Sequence, residues 1–219
     1  MGNRALRLLF GITTLIGLVA SAGCAGKGEV LDLSLRTGPP APVAATAGRD
    51  ELKVSVAVFE DARPEKSRLG VRTHLGGGMT YFNVPGGRAG EAVSEAVAEY
   101  LRRKGWRARV GQPGAAEPGG AQQQGAPDVT LTGQVQELSA NAKSRFGSTE
   151  IKVTARLTFR ALNAADKSTT RVTVDSSRSR SVFWFEPEDV QLLLREVFQD
   201  SLDKLVADTR VENRSLRLK

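Results

Sequence analysis

The chain has 219 residues, 31 basic against 24 acidic side chains for a net charge of +7, one cysteine and one histidine. A single cysteine excludes a disulfide framework, and a single histidine leaves little for a zinc site or a Cys–His pair. Stability must come from a core, and the length suits one domain of ordinary size after any leader is removed.

The N-terminus carries Arg4 and Arg7, then an uncharged, mostly apolar run from Leu8 to Ala22 diluted by Gly11, Thr13, Thr14, Gly17 and Ser21. That is the build of a bacterial export signal over residues 1–23, shorter than the roughly 20 apolar residues a membrane-spanning helix needs. It ends in Ser21-Ala22-Gly23-Cys24. This ending resembles the lipobox of bacterial lipoproteins, with Ser21 where Leu is usual, and the resemblance implies lipid on Cys24. Residue 25 is Ala, not Asp, which by resemblance to the sorting rule implies the outer membrane, with the chain facing the periplasm. Loss of the two leader arginines reduces the charge from +7 to +5, a balance suited to anionic headgroups or wall polymers.

Residues 24–50 read as a tether holding the domain off the membrane. Within it "GEVLDLSL" has the makings of a short edge strand, and "RTGPPAPVAATAGRD" is a Pro/Ala/Gly linker. The domain is expected over 51–210. It opens on "ELKVSVAVFEDARPEKS", a near-continuous apolar strand ended by Asp61-Ala62-Arg63-Pro64. Residues 68–87 read as a long Gly-rich loop. From Arg88 the apolar residues Ala89, Ala92, Val93, Ala96, Val97, Tyr100 and Leu101 recur at helical spacing, and Gly105 stops the helix. Trp106 to Val110 returns as a strand, and 111–127 is a low-complexity Gln/Gly/Pro connection. Alternation then predicts strands through 129–135, 151–161 and 170–185. Pro187 opens a second helix, with Val190, Leu193, Leu194, Val197, Phe198, Leu202 and Leu205 as its apolar stripe. Residues 211–219 read as a basic tail. The expected fold is α+β in the order β-α-β-β-β-β-α, a mixed sheet of about five strands with two helices on one face and the other face wet.

The run "VSVAVFEDARPEKSRLGV", the Gly-rich segment, the helix ending "LRRKGW" and "PDVTLTGQVQEL" together resemble the YajG-like family of Gram-negative envelope lipoproteins. More remotely they resemble small α/β lipoprotein modules of penicillin-binding-protein activators, curli secretion and the N-terminal domain of TolB. The family has no agreed activity, so the resemblance transfers no catalytic residue, and the long insertion at 111–127 departs from its compact pattern.

Candidate chemistry is sparse. His74 lies in the Gly-rich segment and reads as a loop residue ahead of a binding residue; Tyr81 and Phe82 share that segment as candidate contacts. Asp61 and Arg63 suggest either recognition at a strand end or, the favoured reading, an ion pair closing the turn. Gly76-Gly77-Gly78 and Gly86-Gly87 lack the residues of a phosphate loop. Basic clusters read as solvated faces, and Phe183-Trp184-Phe185 as core that docks the second helix. The expectation is therefore a non-enzymatic protein without metal, cofactor or nucleic acid, held to the membrane by lipid, with an envelope protein or wall polymer as partner.

Overall fold

A computed structural model describes residues 27–35, 52–111 and 126–219. Cys24, the linker from residue 36 to 51 and most of the low-complexity connection lie outside the described residues. The fold is α+β, a single domain built on a mixed sheet, with more strands than the sequence suggests.

Its spine is a hairpin of two long strands. β7 (Val129–Arg145) and β8 (Ser148–Asn163) pair antiparallel over their whole length, and β9 (Thr169–Val182) pairs antiparallel with β8. β8 alternates as its sequence does, with Ile151, Val153, Ala155, Leu157, Phe159 and Ala161 all buried. β7 runs ten residues beyond the predicted 129–135. Its inward positions are odd up to Val135 and even from Leu138 to Ala140 and Ala142, and a register shift between Val135 and Glu137 absorbs the change of phase. One extra residue in a bulge restores the apolar side chains to the core, while hiding the strand's length from a search for strict alternation.

The other edge of β7 is shared by three short parallel strands in turn. β2 (Lys53–Val56) pairs with Val129–Leu131, β3 (Glu60–Asp61) with Gln134–Val135, and β4 (Gly70–Thr73) with Ala142–Lys143. β6 (Arg107–Val110) lies parallel beside β2. β4 crosses close to β7: a Cβ on Gly70 would sit 1.8 Å from the Ala140 carbonyl oxygen, so only glycine fits there.

Residues 68–87 are not a loop. They contain β4 and β5 (Met79–Asn83), an antiparallel hairpin, followed by a single 3₁₀ turn at Pro85–Gly87. Leu69, Thr80, Phe82 and Val84 are buried along it, an alternation broken in the sequence by the glycines of the turn. β1 (Lys27–Asp32) then adds in parallel to β5. The start of the expected tether thus belongs to the fold: Leu33 and Leu35 are 2% and 4% exposed, and the backbone N–H of Ser34 donates to Gln191 Oε1 at 2.7 Å.

Helix α1 (Ala89–Arg103) packs on the β2–β6 side and α2 (Pro187–Ala207) on β8 and β9, both on the same face of the sheet. Gly105, at φ +89°, follows α1 where the sequence places its end. The helices are joined by the Tyr100 hydroxyl, which donates to Asp203, and by Lys104, 3.1 Å from the same carboxylate. Burial and then the bond to Asp203 push the Tyr100 phenol well above its ordinary range. The expected basic tail is instead a second small sheet, β10 (Thr209–Glu212) with β11 (Ser215–Leu218). Asn163 holds it as a strand would, accepting from the Leu216 N–H at 2.8 Å and donating to its carbonyl at 3.1 Å.

If residues 27–35 are core rather than tether, Leu33→Ala lowers unfolding stability in urea by about 2–4 kcal/mol, the range for emptying a buried leucine site. A change within a few tenths of a kcal/mol would show the segment to be dispensable.

Candidate binding surfaces

Asp61 ends β3, and the chain turns there through Ala62 to Arg63, whose side chain is buried at 3% exposure. All five guanidinium N–H groups have acceptors inside the chain. Nε and Nη2 grip the two Asp61 carboxylate oxygens at 2.8 Å each. Nη1 reaches the Arg68 and Leu138 carbonyls at 3.1 and 3.5 Å, and Nη2 the Lys66 carbonyl at 3.4 Å. Burial raises the Asp61 carboxyl, but the Arg63 side-chain and backbone hydrogen bonds and its charge outweigh burial and hold it below its ordinary 3.8. A fork so fully engaged closes a turn and offers nothing to a ligand.

His74 stands at the tip of the β4–β5 hairpin, where its backbone N–H donates to the Gly78 carbonyl at 2.8 Å and its ring Nε2 lies 2.9 Å from Thr80 Oγ1. Tyr81 is partly exposed, with the Arg68 guanidinium 5.1 Å from its ring centre. Phe82, expected among the contacts, is fully buried on the opposite side of the strand, because successive side chains of β5 alternate across the sheet. His74, Tyr81 and Phe82 do not form one surface. Among the described residues no three His, Cys, Asp or Glu side chains are grouped to hold a metal, and no helix is long and apolar enough to cross a membrane.

Two other surfaces are more distinctive. The first is the face of β7, β8 and β9 away from the helices. It presents Thr, Ser, Lys and Arg side chains, and a shallow cavity of about 590 Å³ opens on it between Val58, Glu60, Gln134, Arg160, Thr169 and Arg171. Gln134 Nε2 donates to Glu60 at 2.8 Å, and Thr158 and Thr173 hydroxyls meet at 3.0 Å, so the floor is a fixed polar lattice on rigid strands.

The second is the end of the sheet where β7 turns into β8. Phe146 in that turn is 94% exposed. Thr149 pairs with Val182, so Phe183 and Trp184 follow at the same end, 68% and 79% exposed and packed edge to face at 5.3 Å. This corrects the reading of Phe183-Trp184-Phe185 as core. Only Phe185 turns inward, stacking on Phe82 at 6.4 Å with the Arg72 guanidinium 3.8 Å over its ring. Leu75 and Met79, 66% and 44% exposed, belong to the neighbouring hairpin, whose Thr73 pairs with Lys143. The sequence does hold a signal for this end: "SRFGS" places a phenylalanine in a tight turn, where polar residues are the rule.

No family model matches the chain, and no curated protein sequence matches it. Among solved structures it is similar to XCC0632 from Xanthomonas campestris, of the DUF330 family, at TM-score 0.49 and 13% identity over 81% of this chain and 92% of that one. It is also similar to the lipoprotein GNA1162 from Neisseria meningitidis at TM-score 0.36 and 13% identity, over 68% and 96%. A dodecameric PelC from Paraburkholderia phytofirmans gives TM-score 0.37 and 15% identity, over 66% and 83%. Each likeness is too loose to carry a family or a function, and none of the three is described as YajG-like.

Arg63→Ala should lower stability by roughly 2–4 kcal/mol by stranding a partly buried carboxylate and backbone carbonyls, and Arg63→Lys should recover little because a lysine lacks the fork. Asp61 has its pKa depressed on folding, so its contribution is complete above about pH 4 and is lost as pH falls through the folded value. Urea unfolding of the wild type from pH 6 to pH 2, beside Asp61→Asn, should show the variant losing less stability below pH 4. Equal slopes would remove Asp61 from the acid response.

Proposed function

We propose that this protein is a lipoprotein anchored through Cys24 to the outer membrane, facing the periplasm, and that it works by binding, as an accessory of envelope assembly or maintenance. The observation that carries the reading is the open face of β7–β9. Both helices lie on the other side of the sheet, and this side offers a fixed array of hydroxyl, amide and charged groups, with Glu60 and Asp175 among the basic ones, around a shallow cavity. Arg160 and Arg171 at the cavity rim suit an acidic protein segment or an anionic wall polymer. The export signal and Ser21-Ala22-Gly23-Cys24 supply the anchor, and Ala25 the sorting preference.

A second reading, an accessory subunit of a transport or secretion complex that oligomerises, is favoured by one feature. Among the described residues β9 pairs with β8 alone. Between the Thr170 end, which meets β11, and the Asp175 carbonyl, which accepts from Lys204, and beyond it, no strand lies along its outer edge, and another chain could extend the sheet.

Metabolic palmitate labelling with membrane fractionation, wild type against Cys24→Ala, should show label and outer-membrane association lost together in the variant. An unlabelled, soluble wild type would sink the anchor. A photo-crosslinker at Arg160 or Arg171 in cells should then capture one defined envelope protein or wall fragment, and a consistently empty result at both positions would remove the binding role of this face. Sedimentation of the detergent-solubilised protein as a monomer at every concentration would dismiss the second reading.

A further inference from the structure

The anchor and the aromatic end of the sheet are brought together by the strand register. β1 begins at Lys27, which pairs with Met79 at the start of β5. Met79 faces Thr73 at the end of β4, and Thr73 faces Lys143 near the end of β7. The chain therefore enters the fold at the same end of the sheet as Phe146, Phe183 and Trp184. Only Ala25 and Gly26 separate Lys27 from Cys24, and three residue steps span at most about 11 Å even when fully extended.

Among the described residues, Phe146, Phe183 and Trp184 are the exposed aromatics, and all three stand at this end with Leu75 and Met79 beside them. Exposed aromatic tips of this kind suit the boundary between headgroups and acyl chains, where the ring is buried to a depth of about 5–10 Å. Two of the arginines nearby are held in opposed pairs, Arg145 with Glu150 at 3.4 Å and Arg180 with Glu196 at 3.1 Å, while Lys143 is exposed beside them. Insertion of the three rings is the contribution that needs no anionic lipid.

We infer that this end of the sheet docks on the phospholipid surface that holds the Cys24 lipid, with Phe146, Phe183 and Trp184 entering the interface as a second attachment. The inference rests on the lipoprotein reading for the position of the bilayer. It replaces the expectation of a domain held off the membrane by a tether: the chain folds before the linker begins, so the linker from residue 36 to 51 sets no distance to the membrane.

The chain contains two tryptophans, which makes the test internal. Trp184 lies at the docking end, and Trp106 precedes β6 at the opposite end, about 50 Å away along β7 by strand rise. Full-length protein purified from membranes is reconstituted into phosphatidylcholine vesicles with or without dibrominated acyl chains. In Trp106→Phe, Trp184 emission should shift to the blue and fall by about half with brominated lipid. In Trp184→Phe, Trp106 emission should be unchanged by bromine. Phe146→Ser combined with Phe183→Ser should reduce the quenching of Trp184.

Intact mass on the same samples separates the two claims. Acylated protein with unquenched Trp184 overturns the docking and leaves the anchor standing. Unacylated protein overturns the anchor, and quenching or its absence then decides the docking by itself. A blue shift that grows with protein concentration and ignores bromine would assign this end to a second copy of the chain and overturn the membrane contact.

Discussion

β7 has two edges, and they are satisfied in different ways. Along one, β8 runs beside it without interruption; along the other, β2, β3 and β4 take turns, and the chain between them leaves the edge and returns. Each departure exposes part of a ladder whose polar groups need partners. In the gap between β3 and β4 the Ala140 N–H donates to the Leu69 carbonyl, and the Leu138 carbonyl accepts from Arg63. A side chain stands in for a missing strand. The Asp61 carboxylate holds that guanidinium in place, so one ion pair supports both the turn and the continuity of the sheet.

With this edge closed, the sheet has one face for the helices and one left open, and one end that is apolar. These surfaces differ in chemistry and in direction. With the aromatic end at a bilayer, the long strands stand away from the membrane and the open face looks sideways into the compartment, where a soluble partner reaches it without competing with lipid. A polar face on rigid strands and an apolar rim at their turns can therefore serve two contacts at once.

The sequence makes some of this plain. β8 is legible because its inside and outside residues never change phase, and both helices are legible because their stripes are unbroken and their ends carry Gly105 and Pro187. β4 and β5 are not, since four- and five-residue strands around Gly76-Gly77-Gly78 look like loop until the partner β1 is known. β11 is hidden for the same reason: Leu216 packs into the core and its backbone is bonded to Asn163, partners far away in sequence. The closure of Asp61 on Arg63 follows from two residues of opposite charge at a turn, whereas the exposure of Phe183 and Trp184 depends on where β9 happens to stop. Cys24, the most specific residue of the sequence, lies outside the described residues.

The arrangement around β7 also fixes an order of events for a chain that emerges N-terminus first. β2, β3 and β4 each pair with β7 residues about 70 to 75 positions later, and although β2 also has β6 and β4 also has β5, only β7 links the three. Closing such loops costs entropy before any contact rewards it. Until residue 145 has appeared, the first half can form α1, the β4–β5 hairpin with β1 beside it, and β2 beside β6, but these pieces lack the strand that joins them into one sheet. The apolar strand that opens the domain then has β6 on one edge and nothing on the other until β7 arrives, and for that interval the bare edge is open to pairing with other chains.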